Sequence, residues 1–132
     1  IHNCVPATKT TSGMIRAEHF QSMHDGAVLI NTGRGATMDE SALIKELEKG
    51  RIFCCLDVTS PEPPRDQSPL FSLPNCLMTP HIAGAVSNGR KLQGAFAVQE
   101  ILRFLEGKPL QGELKKEDIL TMTGGPGWKQ GS

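Results

Sequence analysis

Apolar residues fall in short runs, cut by polar, glycine-rich or proline-rich breaks, and the runs alternate between strand-like and helix-like spacing. Val28-Leu29-Ile30 is a compact apolar run with two β-branched members, predicting a buried strand. Asn31, Thr32, Gly33 and Gly35 break it at once and leave Arg34 between two glycines at the strand's carboxyl end. Ile1–Val5 predicts an earlier strand, ended by Pro6 and a polar loop through Ser12. Ala17–Met23 predicts a short helix, and Asp25-Gly26 the turn before the Val28 strand.

Downstream, Asp39 suits an N-cap, with Glu40 in the first turn of a helix. Leu43, Ile44 and Leu47 give that helix its buried stripe, and Lys49-Gly50 stops it. Ile52–Val58 predicts a strand apolar on both faces, as expected where helices cover both sides of a parallel sheet. Ser60–Pro74 is too rich in proline for a helix or inner strand. Leu77-Met78 predicts a last strand, with Thr79–Gly84 as its exit loop. A long helix is predicted over Ser87–Glu106, with Leu92, Ala95, Phe96, Leu102 and Leu105 along one side and Gly107 as its stop. From Thr121, the glycine-rich tail is expected to be mobile. The alternation is that of an α/β fold, a parallel sheet with flanking helices and right-handed crossovers.

Composition narrows the function classes. Fourteen basic residues balance fourteen acidic ones without a basic block, which argues against a nucleic-acid partner. No apolar run reaches the about 18 residues of a membrane span. The absence of a charged-then-apolar leader points to a cytoplasmic protein. Cys4, Cys54, Cys55 and Cys76 form no C-x-x-C pair, so small buried apolar thiols in a reducing compartment are expected and no metal site. The first residue is Ile rather than Met, consistent with a fragment.

Arg34, Asp57, Glu62 and His81 all stand just past predicted strand ends. In a parallel sheet those ends share one edge, where open α/β sheets bind ligands. Histidine moves protons near neutral pH, and a carboxylate at Glu62 would stabilise its imidazolium. The planar guanidinium of Arg34 grips a carboxylate through two hydrogen bonds. Together they suit proton-coupled chemistry at a carbonyl or hydroxyl. Each also has a plainer use: a surface ion pair for Arg34, a turn cap for Asp57, solvation for Glu62, a loop hydrogen bond for His81. His2, His19 and His24 are read as structural or exposed. Met38 stands where G-x-G-x-x-G needs its third glycine, so the Gly33–Met38 stretch is no dinucleotide fingerprint.

Gly26–Gly35, then Asp39-Glu40, then Leu56-Asp57-Val58 with Glu62-Pro63, then Leu77–Gly84 follow in order. This series resembles the D-isomer-specific 2-hydroxyacid dehydrogenases, from residue 1 to about residue 109. The resemblance implies the second half of a Rossmann-type NAD-binding domain over 1–109, with a partly disordered tail over 110–132. It implies Arg34 as substrate-binding arginine, His81 as acid/base and Glu62 as its paired carboxylate. It places Pro6, Thr32, Gly33, Arg34, Asp57, His81, Ala83 and Gly84 along the cofactor, NAD or NADP, with Asp57 toward the nicotinamide carboxamide.

What the resemblance implies for function is an oxidoreductase acting on the CH–OH group of D-2-hydroxy acids, with a 2-hydroxy or 2-oxo acid as small-molecule partner. The family's glycine fingerprint and substrate domain have no counterpart in these residues. The chain alone is therefore expected to be inactive. The alternative is a non-catalytic module that self-associates, as a homodimer, through the open edge left at Ile1–Val5.

Overall fold

The computed structural model describes residues 1–84 and 86–124, without the side chain of residue 87. Four parallel strands form one sheet in the order β1 (His2–Asn3), β2 (Val28–Asn31), β3 (Phe53–Leu56) and β4 (Cys76–Met78). Helix α1 (Ala17–Gln21) joins β1 to β2, and α2 (Glu40–Leu47) joins β2 to β3. A 3-10 turn over Pro69–Phe71 interrupts the proline-rich loop and buries Leu70 beside the sheet. Helix α3 (Ser87–Leu105) follows β4.

Local chemistry sets the boundaries. Asp39 Oδ1 accepts the Ala42 N–H at 3.0 Å and caps α2, as its sequence predicts. Gly107 turns left-handed just after α3, at φ 67°. The strand expected over Ile1–Val5 shrinks to two residues, because Asn3 Oδ1 takes the Val5 N–H and bends the chain away. A further 3-10 turn, Asp118–Thr121, lies within the tail expected over 110–132. The tail from residue 125 onward lies outside the described residues.

Among the described residues, the core lies on one face of the sheet only. Phe20, Leu29, Leu43, Leu47, Ile52, Cys54 and Leu56 are buried there beneath α1 and α2, which pack on each other. On the opposite face Val28, Phe53 and Leu77 are 43%, 48% and 62% exposed. The expectation that helices cover both sides of β3 is therefore corrected. The strands are laid down in one direction, 1-2-3-4, and crossovers of one hand carried in one direction deposit every connecting helix on the same side. The apolar side expected for α3 is likewise uncovered, with Leu92, Phe96, Leu102 and Leu105 all exposed.

Charged groups anchor the covered face. Buried Glu46 accepts from Lys49 Nζ at 2.6 Å and from Arg51 Nη2 at 2.8 Å. Arg51 also donates to Asp25 and to the carbonyl of Met23, tying the end of α1 to the end of α2. Hydrogen bonds from Lys49 and Arg51 hold the Glu46 carboxyl below its usual range. All four cysteines are free thiols. Cys54 is buried and Cys55 and Cys76 partly so, but Cys4 is exposed, correcting the expectation of four buried thiols. Cys54 and Cys76 are register partners, and hydrogen bonding to Cys76 with burial pushes the Cys54 thiol up.

Candidate active site

The four strands end along one edge, and their four exit loops meet there. The two glycines of the β2 exit make the meeting possible. A Cβ on Gly33 would lie 2.7 Å from the Val5 carbonyl oxygen, and one on Gly35 would lie 2.0 Å from that of Thr59. Only hydrogen at these positions lets the Arg34 corner wedge between the β1 and β3 exits. Arg34, half-buried, donates from Nη1 to the Gly33 carbonyl at 2.7 Å.

His81 sits on the β4 exit with φ 53°, the left-handed region seldom adopted by a residue bearing a side chain. Two groups hold it there. Its N–H donates to the Asp57 carbonyl at 3.0 Å, and its Nδ1 pairs with Glu62 Oε1 across the proline-rich loop. That pairing selects the tautomer with the proton on Nδ1 and leaves Nε2 as the free ring nitrogen.

Asp57 is buried at the end of β3. Its Oδ1 accepts from Thr79 Oγ1 at 2.5 Å and from the Ile82 N–H at 2.9 Å, and its Oδ2 accepts from the Ala83 N–H at 2.9 Å. Burial raises this carboxyl, but the three hydrogen bonds and nearby His81 outweigh it and hold the group below its ordinary value. Glu40 accepts the Ser60 N–H at 2.7 Å, and half-burial lifts its carboxyl above the usual range despite that bond.

Arg34, Glu62 and His81 line one cavity of about 730 Å³, walled also by Ala36, Thr59 and Thr123. Thr32, Asp57 and Ala83 line a second groove of about 250 Å³ on the uncovered sheet face, with Ile30, Cys55, Leu77 and Ile82 as apolar walls. Pro6, Gly33 and Gly84 line neither. Pro6 offers its carbonyl to Thr11, and Gly33 is buried against Val5. A further apolar cavity of about 480 Å³, with Phe71, Met78 and Pro64 in its wall, lies against the Glu62–His81 pair.

Sequence reasoning missed the group beneath Arg34. Asn3, Asn31 and Thr37 are 3%, 0% and 0% exposed and hydrogen-bond to one another under the corner. The available signal was a polar residue at the inward-facing end of each of two adjacent strands.

Residues 1–83 match the family model of the D-isomer specific 2-hydroxyacid dehydrogenase, NAD binding domain. The chain belongs to that family. Its member from Homo sapiens, glyoxylate reductase/hydroxypyruvate reductase, is 38% identical over 109 residues, covering 82% of this chain and 33% of the relative. The D-isomer specific 2-hydroxyacid dehydrogenase from Xanthobacter autotrophicus Py2, solved in complex with NADPH and MES, superposes with TM-score 0.75 at 33% identity. That alignment covers 89% of this chain and 48% of the other. D-lactate dehydrogenase with NAD+ from Lactobacillus jensenii superposes with TM-score 0.80 at 27% identity, covering 88% and 39%. The α/β sheet is thus part of a Rossmann-type NAD-binding domain. The chain spans a third or less of the length of the curated relatives it matches first.

The groove on the open face fits the nicotinamide end of the cofactor. It combines apolar walls for a flat ring with the polar residues Thr32, Asp57 and Thr79 in its lining. The starts of α1 and α2 do not fit a pyrophosphate. Helix α2 already carries Asp39 and Glu40 at its positive end, and α1 is only five residues long.

Proposed function

We propose that this chain carries the catalytic half of a dehydrogenase that interconverts a D-2-hydroxy acid and its 2-oxo acid. One observation supports the reading above the others: the free Nε2 of a carboxylate-paired histidine and the Arg34 guanidinium share one cavity. Arg34 grips the substrate carboxylate with its fork and orients the adjacent carbon. His81 Nε2 takes the hydroxyl proton during oxidation and returns it to the carbonyl oxygen during reduction. Glu62 keeps the proton on Nδ1 and stabilises the imidazolium that forms. When bound, NAD or NADP supplies the hydride acceptor or donor. Thr32, Asp57 and Ala83 hold its nicotinamide end.

Acting alone the chain turns over little or nothing, since its Gly33–Met38 stretch is no dinucleotide fingerprint and the starts of α1 and α2 do not suit a pyrophosphate. Its exposed sheet face and the unpaired outer edge of β1 support self-association as a homodimer. Its free thiols suit the reducing cytoplasm.

A chimera tests the catalytic reading. The matched segment of the human glyoxylate reductase/hydroxypyruvate reductase is replaced by its counterpart from this chain, and oxidation of NADH and of NADPH with glyoxylate is followed. Activity that disappears with His81→Gln supports the proposal. A folded, cofactor-binding chimera without activity sinks it. Turnover of glyoxylate by the isolated chain would refute the inactivity proposed for it.

A further inference from the structure

We propose that Asn3, Asn31 and Thr37 are positioning residues that fix the peptide on both sides of Arg34 and so set its guanidinium for a carboxylate ligand. The inference rests on the reading of Arg34 as carboxylate anchor and extends it to the residues beneath. On the amino side, the Gly33 N–H donates to Asn31 Oδ1 at 3.0 Å and to the Asn3 carbonyl at 3.1 Å. On the carboxyl side, the Arg34 carbonyl accepts from Thr37 Oγ1 at 2.7 Å, Thr37 N–H at 3.2 Å and Asn31 Nδ2 at 3.3 Å. Asn3 Nδ2 joins the pair, donating to Asn31 Oδ1 at 3.1 Å and to Thr37 Oγ1 at 2.7 Å.

A sheet edge does not need this arrangement for stability. Apolar side chains of like shape would fill the same volume without the desolvation that three buried polar groups incur. What the polar set adds is direction, since every bond in it ends on Arg34, on its neighbour Gly33, on Val5, or on another member. Low local dielectric strengthens such a fully connected set and makes it stiff. A guanidinium that returns to the carbonyl of its own neighbour is then presented from a fixed backbone rather than a mobile loop.

Thr37→Val keeps the shape and removes the hydroxyl. Thr37→Ser restores it, and the double variant Asn3→Leu with Thr37→Val removes both partners of the Asn3–Thr37 bond, the part-buried Val5 N–H alone losing its acceptor. Each full-length chain is titrated with glyoxylate, a 2-oxo acid, by amide NMR, with Arg34→Gln as the control for the anchor itself. Amide exchange at Gly33 and Thr37, whose N–H groups donate to Asn31 Oδ1 and the Arg34 carbonyl, is measured beside Leu29 and Cys54. The expected result is glyoxylate binding weakened about tenfold in Thr37→Val and in the double variant, the loss one orienting hydrogen bond brings. Thr37→Ser should stay close to the parent, and exchange should quicken at Gly33 and Thr37 in the two variants lacking the hydroxyl but not at Leu29 and Cys54. Parent-like glyoxylate binding in the two variants lacking the hydroxyl overturns the inference. Absence of any Arg34-dependent glyoxylate signal in the parent would instead refute the anchor reading. The exchange ratio then decides the positioning role, which unchanged exchange at Gly33 and Thr37 overturns.

Discussion

The Ala83 N–H donates to Asp57 Oδ2 at 2.9 Å, and this bond, with that from Ile82, pins the loop that carries His81. A buried carboxylate at the end of β3 therefore sets the position of a ring carried by the exit of β4. Asp57→Asn exchanges one acceptor oxygen for a donor and leaves an N–H facing N–H donors. We expect a stability loss of about 2 kcal/mol, read by chemical denaturation. Unchanged stability with an unchanged His81 ring signal would refute the pinning role.

Acid should destabilise the fold with a definite sign. Asp57 and Glu46 both have lowered values in the folded state, so their contribution is present above the unfolded carboxylate range near ~4. It is lost as pH falls through the folded values. Glu40, raised by burial, works in the opposite sense and contributes below that range. Two against one, stability measured by urea titration should fall from pH 5 toward acid. In Glu46→Gln the fall should be shallower. An equal slope in both would sink the assignment.

Glu46 is also the fastening between α1 and α2. Removing it leaves Arg51, whose side chain is 28% exposed, without its buried partner. Glu46→Ala should cost about 3 kcal/mol, seen as a lower midpoint in thermal melting. A loss below about 1 kcal/mol would mean that Arg51 finds full compensation from the carbonyls of Met23 and Phe20.

At the corner, Gly35→Ala would set a methyl group 2.0 Å from the Thr59 oxygen, a backbone atom that cannot rotate away. The β2 and β3 exits must separate, costing about 3 kcal/mol, and the shared cavity should open. Gly94→Ala is the control, because its added Cβ meets nothing within 4 Å. Equal denaturation midpoints for the two variants would contradict the close approach.

In the chimera, His81→Gln should lower kcat by about 10²- to 10⁴-fold. Arg34→Lys, which keeps the charge but loses the fork, should act mainly on KM. Steady-state kinetics distinguishes these outcomes. A change in KM alone for His81→Gln would remove it from the proton transfer.

Self-association has its own test. Phe53→Glu places charge at the centre of the uncovered sheet face without touching the core. Sedimentation should show the parent chain associating and the variant as monomer. A parent that stays monomeric at high concentration excludes that role for this face.

Periodicity and punctuation in the sequence settled a good deal. The α/β alternation, the Asp39 cap and the Gly107 stop follow from local rules, because each depends on a few neighbouring residues. The order of the motifs pointed to the family, and the family model agrees over residues 1–83. The gathering of Arg34, Glu62 and His81 followed from parallel strands ending on one edge. Less visible were the residues whose role is to receive a hydrogen bond from far along the chain. Asn3 and Thr37 are 34 positions apart, and nothing near either marks it as a partner of the other.

The amino-acid sequence by itself determined which segments are strand or helix and which side chains are candidates for chemistry, since propensity, capping and residue type act locally. Only the tertiary structure decided that one sheet face stays bare, because strand order, not strand composition, fixes where crossover helices lie. It alone decided that Glu62 meets Nδ1 rather than solvent, and that Asp57 spends its carboxylate on the His81 loop. Those outcomes depend on how exit loops from different strands are packed together, and packing is a property of the whole assembled edge.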